Sequence, residues 1–185
     1  MPRKLFTVAL LAMVMVMSVL IAPSEAGGLP GKKRWLKDTR SAMVGSRAYV
    51  SKRVKQPGTG KLAINFDIDN TSLATKYAPR RAVPVVLRFA RYANSKGVAL
   101  VFNTGRTDDD IAAPLAWLKK AGYPVTDICA RHQGESLVKG KQRCRQEYVD
   151  AGYTIIANVG NRSTDFVGTN YEKAFKLPNY GNRLG

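Results

Sequence analysis

The chain is poor in the residues that would support several common chemistries. It has one histidine, His132, so a histidine phosphatase, which needs a nucleophilic His and a second catalytic one, is excluded. It has two cysteines, Cys129 and Cys144. With a single His beside them they are too few for a closed zinc site. Acidic residues are scarce, 13 Asp+Glu against 30 Lys+Arg, for a formal charge of +17. A charge of that sign favours anionic partners such as nucleotides, nucleic acid, phospholipid heads or cell-wall polyanions, unless it simply keeps an exported protein soluble. The densest basic patch runs through Lys32, Lys33, Arg34, Lys37 and Arg40. It lacks the interleaved aromatics of a single-strand binding surface and matches no dedicated nucleic-acid motif. Long apolar runs are also scarce: there is one, Leu5 to Ala22, behind Arg3 and Lys4.

That run, followed by Ser24-Glu25-Ala26, reads as a secretory signal peptide cut after Ala26. A retained membrane anchor is the alternative, because the run is near the minimum length for a bilayer span. No Lys/Arg stop-transfer cluster adjoins its end. The expectation is a secreted, extracellular protein with no membrane attachment after cleavage. In that setting Cys129 and Cys144 can form a disulfide, and two free thiols are the other reading. Closing a loop of about 15 residues would contribute about 3 kcal/mol on the chain-entropy account.

Three regions follow from composition and spacing. Residues 1–26 are the signal peptide. Residues 27–60 hold a Gly- and Lys-rich lead-in, expected to be disordered over 27–33, and one amphipathic helix from Trp35 to about Val54, interrupted by Gly45. Residues 61–185 form the main domain. There the pattern alternates: strands at 62–67, 98–103, 125–129 and 153–159, helices at 82–95, from Thr107 to Gly122 and at 141–151. Thr107 with Asp110 three residues on reads as a capping box. Gly97, Gly122 and Gly152 each stand where a helix must turn back to a strand, a position that asks for the left-handed conformation. The short apolar strands fit a parallel sheet covered on both faces, a three-layer α/β domain. Ligands in such sheets bind beyond the carboxyl ends of the strands. Those ends carry Asp67, Asn103-Thr104 and Gly160-Asn161.

Four motifs meet at that edge: Phe66-Asp67-Ile68-Asp69-Asn70-Thr71, Val101-Phe102-Asn103-Thr104-Gly105-Arg106, Lys141, and Gly160-Asn161-Arg162-Ser163-Thr164-Asp165. With the tail Phe175-Lys176-Leu177-Pro178-Asn179 they resemble the haloacid dehalogenase (HAD) superfamily, and within it the secreted class III/class B-like acid phosphatases. The resemblance spans about Lys61 to Asn179. It implies a Rossmann-like HAD fold with a central parallel sheet and a minimal cap. It implies a phosphomonoesterase working through an aspartyl-phosphate, with Asp67 as nucleophile and Asp69 as acid and then base. It further implies Thr104, Gly105 and Arg106 as phosphate contacts, and Lys141 as the residue that neutralises phosphate and nucleophile. Lys139 competes for that last role. Thr71 would brace the loop. Arg145, four residues beyond Lys141, would either assist with phosphate or be solvated.

The same resemblance implies Mg²⁺, held by Asp67, the carbonyl of Asp69, Asp165 and Asn161. The family usually has Asp where this chain has Asn161. Asparagine still offers a carbonyl oxygen, but one negative charge is lost and metal affinity should fall. The Gly-Asn-Arg form is similar to that of lipin-type phosphatidate phosphatases. Three functions therefore stand: a phosphomonoesterase whose open, uncapped site favours large or varied phosphoesters and whose basic surface would attract anionic substrates such as nucleotides, a phosphatidate or phosphopolymer phosphatase, and a non-catalytic polyanion-binding protein. His132 reads as a loop residue. Tyr77, Trp117 and Tyr180 could line a substrate mouth, but core or surface packing is the simpler reading for each.

Overall fold

Leu62 to Phe66 is an unbroken apolar run, and it forms the centre of the sheet. The computed structural model describes residues 28–184. Residues 1–26, the expected signal peptide, lie outside the described residues. In chain order the elements are α1 (Lys32–Ala42), α2 (Ser46–Arg53), β1 (Lys61–Phe66), α3 (Pro84–Asn94), β2 (Ala99–Thr107), α4 (Ala112–Ala121), β3 (Asp127–Arg131), α5 (Leu137–Asp150), β4 (Tyr153–Gly160) and β5 (Lys173–Lys176). All neighbouring strands are parallel, in the order β3-β2-β1-β4-β5. The α/β expectation is met, with a fifth strand added at the edge.

The two faces of the sheet are packed unequally. Ile64, Phe66, Leu100, Phe102 and Ile156 meet α1 to α4 in the larger core, where Trp35, Val50, Val86, Phe89 and Leu118 are buried. Ala63, Val101 and Ile155 face the other way and meet Tyr148 of α5. The smaller side chains there let a single helix lie close to the sheet. That helix carries Lys141.

Several boundaries differ from expectation for identifiable reasons. The single N-terminal helix is two, because Gly45 takes φ +79° and ends the first at a corner. The lead-in is shorter than expected: Lys32 and Lys33 already belong to α1, and Leu29 packs against the core. Thr107 does not cap α4. Its side chain makes no capping bond, and a 3₁₀ turn over Asp108–Asp110 separates it from the helix. Strand β2 runs to Thr107 and β3 lies at 127–131, and α5 starts at Leu137, capped by the Ser136 hydroxyl. Gly97, Gly122 and Gly152 do have φ of +79°, +92° and +85°. No helix among the described residues is long and apolar enough to cross a membrane. The segments joining β1 to α3 and β2 to α5 contain no inserted domain.

Candidate active site

The site stands where the ends of β1, β2 and β4 meet the first turns of α5. Asp67 follows β1, and its backbone N–H donates to the Val159 carbonyl of β4 at 2.8 Å. The chain then turns sharply: Thr71, Ser72 and Leu73 all donate to the Ile68 carbonyl, and the Ser72 hydroxyl donates to the Asp67 carbonyl at 2.7 Å. Asn70 sits in the left-handed region at φ +58°, tied by its side chain to Lys76 N–H and the Leu184 carbonyl. The loop holding both carboxylates is therefore fixed by its own backbone.

Lys141 lies between two acids. Its Nζ is 2.6 Å from Asp67 Oδ1 and 2.9 Å from Asp165 Oδ1, and it donates to the Asn103 carbonyl at 2.6 Å. All three ionic groups are buried. Burial and the charge of Asp165 push the Asp67 carboxyl up, against the pull of Lys141 and Thr71. Burial works against the Lys141 charge as well, but Asp67 and Asp165 outweigh it and hold the ammonium above the ordinary lysine value. Lys139, the alternative cation, is exposed on the far side of the turn.

Asp69 points to another partner. Arg106 Nε and Nη2 reach its two oxygens at 3.0 and 3.1 Å, and the Thr75 hydroxyl donates to it at 2.7 Å. Burial raises this carboxyl, but Arg106 and Thr75 prevail and keep it below the usual carboxylate range. Arg106 also meets Asp110 at 3.2 Å. Thr104 is buried behind the pocket wall, where its hydroxyl oxygen accepts the Arg106 N–H at 3.2 Å. Gly105 lines the pocket, and a Cβ there would sit 2.7 Å from Leu137.

Asp165 is placed by a short approach across the end of β4. A Cβ on Gly160 would fall 2.4 Å from Asp165 Oδ2, so only glycine leaves room for the carboxylate. That oxygen also accepts the Arg162 N–H at 2.9 Å. Asn161 is buried; the Thr71 hydroxyl reaches its Oδ1 at 3.4 Å, and its Nδ2 has no hydrogen-bond partner. The resulting pocket, about 270 Å³, is lined by Asp67, Asp69, Arg106, Lys141 and Asp165 with Gly105, Leu137, Arg162 and Thr164.

The oxygen donors fit a hard divalent cation. Asp67 and Asp165 supply carboxylates and Asn161 a side-chain carbonyl, and all three are buried together at the ends of β1 and β4. Asp69 could add its backbone carbonyl.

Some supporting residues carry no motif. Asn65 donates to Asn158 at 2.6 Å, and Asn158 donates to the Asp165 carbonyl at 2.7 Å. Their only sequence signal is a polar residue inside an apolar strand. Arg145 is neither a phosphate ligand nor solvated. It is fully buried and donates to the carbonyls of Asp165 at 3.0 Å, Thr169 at 3.1 Å and Val167. Cys129 and Cys144 form a disulfide, Cα atoms 5.6 Å apart, joining β3 to α5. His132 lies on an exposed loop beside Asp108. Tyr77 stacks on Trp35 and Tyr180 bonds to Asp38, so both hold α1 in place; Trp117 lies beside Arg106.

Residues 74–183 match the family described as HAD superfamily, subfamily IIIB (Acid phosphatase). Two glycoproteins of Glycine max, the stem 28 kDa and stem 31 kDa glycoproteins, are each 33% identical over 105 residues. That stretch is 53% of this chain but only 41% and 36% of theirs, so the chain matches well under half the length of these relatives. Two solved structures of the class C acid phosphatase from Bacillus anthracis share the fold. The one with tungstate bound has a TM-score of 0.68 at 20% identity, over 80% of this chain and 79% of that one. The other has 0.65 at 18%, with the same coverage.

Proposed function

The chain belongs to HAD subfamily IIIB, the acid phosphatases, and on that footing we propose that it is a secreted, Mg²⁺-dependent phosphomonoesterase with Asp67 as its nucleophile. The observation that carries this reading is Lys141, a buried ammonium within 2.9 Å of both Asp67 and Asp165 in the wall of a pocket.

The steps follow from the groups present. A phosphate monoester enters with its negative oxygens toward Lys141 and the backbone amides at Gly105. Arg106 exchanges Asp69 for a phosphoryl oxygen, which lets the Asp69 carboxyl take up a proton. Asp67 attacks phosphorus, and the leaving oxygen departs with the proton from Asp69. Asp69, now ionised, takes a proton from the water that attacks the aspartyl-phosphate, and inorganic phosphate leaves. Asp67, Asp165, Asn161 and the Asp69 carbonyl would hold Mg²⁺, which when bound shields the phosphate charge from the incoming carboxylate. Lys141 favours the ionised form of Asp67 against its burial and aims it before attack.

Hydrolysis of p-nitrophenyl phosphate, with Mg²⁺ and with chelator, beside the Asp67→Asn variant, tests the reading. Metal-dependent turnover that the variant loses is the expected result. No turnover between pH 4 and 9, on that substrate and on a nucleotide, would favour the polyanion-binding alternative. Export is tested separately: the protein in the medium should begin at Gly27.

A further inference from the structure

A second cationic groove opens beside the pocket. It is about 500 Å³ in volume and is lined by Arg80, Arg81, Ala82, Trp117, Lys120 and Ala121. Arg80, Arg81 and Lys120 are exposed, and no carboxylate pairs with any of them among the described residues. Elsewhere on this surface several arginines are neutralised, such as Arg53 by Glu172 and Arg143 by Glu135. Three unpaired cations at one concave place make a site of strong positive potential.

Two further observations connect this groove to the reacting centre. The first is Trp117. The Arg80 guanidinium lies 5.1 Å from its ring centroid and the Arg106 guanidinium 5.4 Å from the same centroid. Arg106 in turn grips Asp69. The groove and the acid–base carboxylate thus share one aromatic wall. The second is the backbone. Leu73 bridges both Asp69 and Ala82, and Ala74 N–H donates to the Arg81 carbonyl at 2.8 Å. Arg80 is held in the left-handed region, φ +63°, an unusual conformation for a long side chain. The turn that presents Arg80 and Arg81 is therefore built directly on the loop that presents Asp69.

Asp69 is the group that faces the leaving oxygen under the reading above, on which this inference rests. A leaving group that passes Arg106 and follows the Trp117 ring would reach Arg80, Arg81 and Lys120. We propose that the preferred substrates are phosphomonoesters whose leaving group carries a second phosphate, and that this groove binds the second phosphate while the first is cleaved. Charge-assisted hydrogen bonds from two or three of these cations are strong enough for a preference of about tenfold or more, beyond the twofold that two equivalent esters give by number.

The test compares kcat/KM for matched pairs: a nucleoside 3′,5′-bisphosphate against its 5′-monophosphate, and a hexose 1,6-bisphosphate against its 6-phosphate. A preference of about tenfold in either pair is expected, and the pair that shows it distinguishes a nucleotide from a sugar source. The preference should fall as salt is raised. In the variant Arg80→Asn/Arg81→Gln/Lys120→Gln the ratio should drop to about two or below. In a control of equal charge loss, Lys32→Gln/Lys33→Gln/Lys37→Gln on α1, the ratio should stay near the wild-type value. Wild-type ratios of two or less in both pairs, while p-nitrophenyl phosphate is hydrolysed, would overturn this inference and leave the phosphatase reading intact. An equal drop in the control would also overturn it, since the overall field and not the groove would be responsible. Absence of turnover on every substrate would remove both.

Discussion

Asn103 and Lys141 hold each other at both ends. The Asn103 carbonyl accepts from Lys141 Nζ at 2.6 Å, and the Asn103 side-chain amide donates to the Lys141 carbonyl at 2.8 Å. A lysine has a flexible four-carbon stem and costs considerable rotamer entropy to fix. Here the backbone at one end of the side chain and the ammonium at the other are tied to one residue of β2. The ammonium is thereby set between Asp67 and Asp165 before any substrate arrives.

Removing the ammonium leaves two buried carboxylates facing each other. Lys141→Met should cost about 3–5 kcal/mol of stability. It should also lower kcat/KM about 100- to 1,000-fold. Asn103→Ala keeps the charge and the carbonyl that holds Nζ but removes the tie to the Lys141 backbone, and should cost about 1–3 kcal/mol with the loss of rate in kcat more than in KM. Urea unfolding and steady-state kinetics on the two variants check both statements. A Lys141→Met protein as stable as the wild type would contradict the first.

Arg145 supports the metal-side loop from below by donating to three carbonyls. Arg145→Met fills much of the volume but takes the Arg145 donors from the Thr169 and Val167 carbonyls and leaves the Asp165 carbonyl with Asn158, and should destabilise the fold by about 3–5 kcal/mol. Lysine cannot reproduce the planar fork, so Arg145→Lys should recover less than half of the loss. Thermal unfolding of the three proteins decides this, and full recovery by lysine would show that charge alone matters there.

The Arg53 fork and the Tyr49 hydroxyl together hold Glu172 below the ordinary glutamate value of 4.5. A depressed carboxyl stabilises the fold above its unfolded pKa, and the contribution is lost as pH falls through the folded value. Glu172→Gln should therefore lower Tm at pH 7 and do so progressively less between pH 5 and 3, where the two curves converge. A constant gap across that range would mean that the effect of Glu172 is packing and not charge.

In the proposed Mg²⁺ site, Asn161 would leave the ligands one charge short of the pattern the resemblance implies. Asn161→Asp should tighten Mg²⁺ by about tenfold, read as the Mg²⁺ concentration at half-maximal activity and, independently, by calorimetry. It should also lower stability without metal, because a third carboxylate joins Asp67 and Asp165 around a single Lys141. Unchanged Mg²⁺ dependence would place Asn161 outside the metal's ligands.

The parts that were legible in the chain are those fixed by local physics. Apolar runs marked four strands, and Gly97, Gly122 and Gly152 marked three helix ends, because both signals act within a few residues. Asp67, Asp69, Lys141 and Asp165 stood out through motif and order. Strand β5 did not: Lys-Ala-Phe-Lys has one buried side chain, Phe175, and becomes a strand only by pairing with β4. The role of Arg145 was hidden for a similar reason, since a buried arginine is explained by carbonyls twenty and more residues away. Thr107 had the composition of a cap, but the three aspartates after it form their own turn. The Asn65–Asn158 pair needed the sheet register before the two could be seen as neighbours.

The pairing of β1 with β4 also sets a sequence of events. The two strands are neighbours in the sheet, yet the whole of β2, β3 and three helices lie between them in the chain. A nascent chain that has emerged only as far as α5 has Asp67 but no Val159 carbonyl to anchor it and no Asp165 to face it. Long-range closures of this kind come late and slowly. Under the proposed function, catalysis thus has to wait until the chain is nearly complete, since the partners of Asp67 are among the last residues made.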